Sequence, residues 1–174
     1  MPTYPVFSDC DTFVPALEKI YELVEQLSSE QSKALDHAEL EILIDDHGTE
    51  VLRRLFQGHF DLRAAEEVAE PVIGADNIER RHKRRSSCGL LSLFGLVTVN
   101  RIALSMRGVS TLMPLDASLN LPNGLYSFGV RQRLASEVAT VSFDEAVTNV
   151  NTTTGAKVAK RQVEEAVVHA TIDF

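Results

Sequence analysis

Cysteine is nearly absent: Cys10 and Cys88 stand in 174 residues without the paired spacing of a zinc site, and a cytosolic chain would keep both reduced. No apolar run approaches the length of a membrane span, and the N-terminus lacks the basic start and apolar core of a secretion signal. These absences read as a soluble, cytoplasmic protein, nucleoid-associated if its partner is DNA. Catalytic signatures are also missing. There is no glycine-rich phosphate loop, HExxH, paired CxxC or GxSxG. Asp45-Asp46 and Glu66-Glu67 are adjacent pairs, whose side chains diverge on a helix instead of converging on one ion. His37, His47 and His59 have spacings that suit no common metal site. The expectation is a protein without a catalytic constellation, metal or cofactor.

What is present begins with an ordinary globular composition, 44% hydrophobic, over a strong charge asymmetry. Residues 1–79 hold 18 Asp and Glu against 5 Lys and Arg (−13), while residues 80–174 hold 7 against 12 (+5), which sum to the net −8. A uniformly acidic chain repels nucleic acid, but here the basic half can bind it alone. The bland alternative is a solvated acidic surface beside a mildly basic one.

Apolar spacing predicts an amphipathic helix from Phe13 to Leu27, a second from Leu35 to Asp46 ended by Gly48, and a third opening at Thr49. Pro71, Gly74 and the polar stretch to Glu79 break the helical pattern. Val97, Val99, Ile102 and Leu104 predict strand, with a slip near Asn100-Arg101 that suggests a bulge. Leu112 and Met113 offer a short third strand. Pro114 and Pro122 exclude regular helix between them, leaving a short extended segment. Ser127 and Ser142 read as N-caps, the second with Glu145 completing a capping-box pattern, and a last helix is expected from about Lys160 to Thr171. The expected architecture is α+β, mainly α. It comprises an acidic N-terminal helical region (1–70), a basic segment with a small antiparallel β meander (71–113), and a helix-turn-helix-like DNA-binding region (114–174).

Two features carry the DNA reading. Two helices joined by a glycine-containing turn match a helix-turn-helix, and the N-terminal end of its second helix offers Lys157, Lys160, Arg161 and Gln162. Arg pairs with guanine, Gln with adenine, and Lys with bases or phosphates. The second feature is the cluster Arg80, Arg81, Lys83, Arg84 and Arg85, suited to phosphate contact or minor-groove insertion. Its alternative is a solvated charged turn before a hairpin. Helical hairpins, too, are common structural units.

An ordered series of motifs then points to a family. FG-V-V-R (Phe94, Gly95, Val97, Val99, Arg101), PLDASLNLP (Pro114 to Pro122), Tyr126-Ser127, SFDEAV (Ser142 to Val147), Thr154-Gly155 and KRQVE (Lys160 to Glu164) resemble the N-terminal portion of bacterial insertion-sequence transposases of the Kra type. The likeness reaches LRRLFQGHFDLRAAEE (Leu52 to Glu67) and so spans most of residues 40–174. It departs at Ser86 to Gly95, where the family tends to carry Arg and Thr before Phe-Gly. Ala159 departs as well, standing at the expected N-cap of the last helix.

The resemblance implies a region that grips the element's terminal repeats in double-stranded DNA, with Arg101 added to the contact set. It also implies that an RNase H-like domain, whose acidic triad holds two Mg²⁺, normally follows. The chain ends where that domain would begin, so no catalytic residue is carried over and Mg²⁺ is expected only for the missing domain. The expectation is a truncated transposase that binds DNA without chemistry. A homodimer, or pairing with full-length transposase, is compatible with it. A regulatory DNA binder, a protein-interaction module using the acidic helices, and a non-functional remnant stand as alternatives.

Overall fold

The computed structural model describes residues 11–68 and 70–159. A turn of 3-10 helix at Asp11–Phe13 leads into α1 (Val14–Ser28), with Pro15 in the first turn, where its missing N–H breaks no helical bond. Ser29 caps the short α2 (Glu30–Lys33) by accepting from Ser32 N. α3 then runs unbroken over His37–Glu66, which corrects the expectation of two helices parted at Gly48. Asp36 and Glu39 close a capping box at its start, and Glu50 ties Arg53 and Arg54 just beyond the glycine. α1 and the strands pack along α3 as well. An interior glycine costs only about 1 kcal/mol, which these contacts outweigh.

Two antiparallel hairpins follow. β1 (Val72–Ile73) pairs with β2 (Glu79–Arg80) around a turn in which Asn77 adopts a left-handed φ of 58°. β3 (His82–Ser92) pairs with β4 (Gly95–Ser105) along the full length of both. The register is continuous from His82 opposite Ser105 to Ser92 opposite Gly95, so there is no bulge at Asn100-Arg101. The hydrophobic alternation slips because both faces are covered toward the end of β4, where Ala103 and Leu104 are each buried. Val97 and Val99 pack toward α3, whereas Leu104, of the other parity, is buried beside the segment bridging through Leu112. That bridge is isolated, and the strands form two separate hairpins in place of a meander.

Pro114 starts a helix where an extended segment was expected: α4 (Pro114–Ser118) has proline at its N-terminal position. α5 (Phe128–Val138) opens at Ser127, which accepts from Val130 N, and α6 (Phe143–Thr153) at Ser142, which accepts from Glu145 N. α5 and α6 pack on one another. Ala146, Val147 and Val150 are buried as their spacing predicts, but Phe143 is exposed. The fold is α+β and mainly helical. The helix expected from Lys160 lies outside the described residues, and with it the second half of the proposed helix-turn-helix.

Neighbouring residues of β3 enter two different cores, because side chains alternate across a strand. Leu90 joins Phe60, Val97 and Val99 beneath α3. Leu91 joins Tyr126, Val130, Leu134, Val147 and Val150 of the α5–α6 unit. The tip of the long hairpin is thus held from both faces. Gly155 completes the clasp: its N–H donates to Leu93 O at 2.7 Å, and a Cβ there would lie 2.5 Å from Phe94 O. No helix among the described residues is long and apolar enough to cross a membrane.

Candidate nucleic-acid interface

The two edges of the β3–β4 hairpin are treated differently. Along β4, the Gln57 carboxamide accepts from Thr98 N and donates to Thr98 O, both at 2.8 Å, imitating a neighbouring strand. Glu67 accepts from Ile102 N at 2.7 Å, and Leu112 exchanges both backbone bonds with Leu104. Gln57 on α3 and Glu67 at its C-cap, about three turns apart, therefore seal this edge. Because Thr98 points its backbone groups outward, its antiparallel partner Gly89 does too, as do Ser87, Arg85 and Lys83 at alternate positions. On β3, Leu91 is bonded by Leu125 O and Ser127 N. From Lys83 to Gly89 the outward groups meet no partner among the described residues. An open edge carrying Lys and Arg is a common protection against strand-to-strand aggregation.

The basic cluster separates into cations that build the fold and cations that face solvent. Arg80, expected among the DNA contacts, belongs to the first kind. It is 1% exposed, and its guanidinium is fully engaged. Nε donates to Ser110 O, Nη1 to Asp76 Oδ1 and Ile78 O, and Nη2 to Asp76 Oδ2 and Ser110 Oγ, which uses all five guanidinium donors. Gly74 makes room for it, since a Cβ there would stand 2.6 Å from Nη1. Hydrogen bonds from Arg80, then from Ile78 N, lower the Asp76 carboxyl to a pKa of about 2.

Arg101 is also turned toward the fold. Its side chain is 11% exposed, and Nη1 lies 2.7 Å from Cys88 Sγ and 3.0 Å from Asp116 Oδ1. The ion pair is short but poorly aligned, leaving Asp116 Oδ1 and Arg101 Nε buried without hydrogen bonds. Burial accordingly raises the Asp116 carboxyl above its ordinary range, against the pull of Arg101. Arg81 is exposed but paired with Glu79. Lys83, Arg84 and Arg85 are exposed, and their side chains make no ion pair or hydrogen bond with a described residue. Lys157 is also exposed, beyond α6, whereas Lys160, Arg161 and Gln162 lie outside the described residues.

The basic run is thus the exposed half of a strand. Its sequence concealed this because residues 82–85 are exposed on both faces, so no apolar alternation marks them. A different signal was available: between Glu79 and Asp116 the chain has no acidic residue, although it holds 25 elsewhere. The hairpin lies within that stretch. Its uncovered face bears Ser87, Thr98 and Asn100, which motif reading passed over. Beside α3 this surface deepens into an open cleft of about 510 Å³, walled by Asp61, Ala64, Ala65 and Glu67 and floored by Arg85, Ser87 and Asn100. Among the described residues no group of three or more His, Cys, Asp or Glu is placed to hold a metal ion.

The arrangement offers positive charge and hydrogen-bonding side chains on a hairpin whose own strands carry no carboxylate, which suits a polyanion. No protein-family model, curated protein or solved structure matches the chain.

Proposed function

We propose that this chain binds double-stranded DNA, corresponds to the portion of a Kra-type transposase that grips terminal repeats, and performs no strand chemistry itself. The observation that carries the reading is the row Lys83, Arg84 and Arg85, unpaired with any described residue on the exposed half of a hairpin free of carboxylates. In a chain of net charge −8, holding three such cations away from the many available acids favours an external anion.

The test is equilibrium binding of the purified chain to duplex DNA across a salt series. Each phosphate contact contributes about 0.9 to the log–log slope, so replacing Lys83, Arg84 and Arg85 together with Ala lowers the slope by roughly 3 if all three touch phosphate. A folded chain whose binding is absent or indifferent to salt would overturn the reading.

One observation favours an interaction module as a second reading. Tyr21, Val24, Ile42 and Ile44 are exposed apolar residues on α1 and α3, and exposed apolar surface of this kind marks partner contact when it is contiguous. Sedimentation of the chain alone and of Val24→Glu distinguishes self-association through this surface from a monomer.

A further inference from the structure

The inference rests on the DNA-binding reading and concerns how sequence is read. B-DNA's major groove admits a two-stranded β-ribbon as readily as a helix. β3 and β4 make such a ribbon, and its cross-strand pairs Arg85–Ile102, Ser87–Asn100 and Gly89–Thr98 share the face opposite Val97 and Val99. Arg85, Ser87, Gly89, Thr98 and Asn100 are all exposed. Arg forks onto guanine O6 and N7, Asn onto adenine N6 and N7, Ser and Thr hydroxyls serve either base, and the Thr methyl contacts thymine.

These side chains are also unspent. Those of Arg85, Ser87, Thr98 and Asn100 make no hydrogen bond to a described residue. Polar side chains elsewhere serve their own fold: Thr148, Thr152 and Thr153 bond carbonyls of α6, Asn149 bonds Glu137, and Asn151 bonds Val158. Charge fixes the orientation. Lys83 shares the face of Arg85 and Arg84 projects from the other, both on the open-edge strand β3, while Asp61 and Glu67 of the neighbouring helical segment wall the cleft beside Arg85 and Asn100 and repel phosphate there.

We propose that the β3–β4 ribbon enters the major groove and reads base edges, with Arg85 and Asn100 as specificity-determining contacts and Lys83 and Arg84 on the phosphates. The experiment selects duplexes from a random library with the full chain, with Asn100→Ala and with Arg85→Lys, after thermal melts confirm that both variants fold. Arg85→Lys keeps the charge and loses the fork.

The expected result is a defined wild-type site. Each variant then loses discrimination at one base pair, roughly 5- to 150-fold, and the Arg85 position is a guanine whose N7 methylation blocks wild-type binding. The salt slope, set by phosphate contacts, stays near the wild-type value. If both variants keep the wild-type site and discrimination, ribbon reading is overturned and DNA binding stands. Salt-dependent wild-type binding with no sequence preference likewise overturns ribbon reading and leaves DNA binding standing. Absence of DNA binding by the folded wild-type chain removes the DNA reading and this inference together.

Discussion

Arg80 and Arg84 sit four residues apart in one basic run and have opposite fates. Arg80 is surrounded by acceptors from two turns, so its charge is spent inside the molecule; Arg84 has no carboxylate within reach and stays available. The same pairing chemistry sets the acid limit of the fold. Hydrogen bonds from Arg53 foremost, and then Arg54, hold Glu50 at a pKa of about 2, and Arg80 holds Asp76 at about 2. Both values lie below the ordinary ones near 4 for the unfolded chain. Depressed carboxylates stabilise the fold fully above about pH 4, and this contribution disappears as pH falls from about 4 to about 2. Asp116, raised by burial, works in the other direction: the fold gains when it takes up a proton. Urea unfolding across pH 2–7 should therefore show a loss of stability concentrated below about pH 4. Glu50→Gln should be less stable than wild type at neutral pH and converge on it near about pH 2. An equal gap at both ends would mean that Glu50 acts through shape and not through charge.

At the level of elements, α3 is decisive, because one helix seals the β4 edge, supports the inner face of the hairpin and receives α1. Its continuity through Gly48 was not legible, because glycine is also the residue that ends helices, and local sequence cannot distinguish the two uses. The position is spacious: a Cβ at Gly48 would meet nothing within 4 Å, and no positive φ is required there. Gly48→Ala should therefore stabilise the protein by about 0.4–1 kcal/mol, read as a higher urea midpoint at unchanged m-value. A lower midpoint would show that α3 needs a weak point there. The N-caps of α5 and α6 were legible, because a serine followed three residues later by the N–H it accepts is a purely local device. The short α4 was misread for the opposite reason, since proline excludes helix interiors but favours helix starts.

For the molecule as a whole, the joint between the hairpin tip and the C-terminal helices decides whether the basic strand is presented at all. Leu90 and Leu91 commit the tip to two cores, and Gly155 lets the chain leaving α6 cross the turn at backbone contact. A methyl group at Gly155 would stand 2.5 Å from Phe94 O and 2.6 Å from Thr49 Cγ2, with backbone on one side and α3 on the other. Gly155→Ala should cost roughly 1–3 kcal/mol, seen as a lower melting temperature of a single cooperative transition. A non-functional remnant unable to close its core would instead show no cooperative transition in the wild-type chain.

Short-range chemistry determined the caps, the end of the long helical region before Pro71, the buried stripe of α6 and the acid-to-base division of the chain, because each depends on residues a few positions apart. Tertiary structure alone decided that the basic run is a strand, that Arg80 and Arg101 serve the fold, and that Lys83, Arg84, Arg85, Ser87, Thr98 and Asn100 share one uncovered hairpin. Those outcomes depend on which distant segment pairs with, covers or neutralises each residue: β4 for the run, the Ser110 turn for Arg80, Asp116 for Arg101, and α3 for the sealed edge. Pairing over such separations follows from register and packing, which residue identity at one site does not encode.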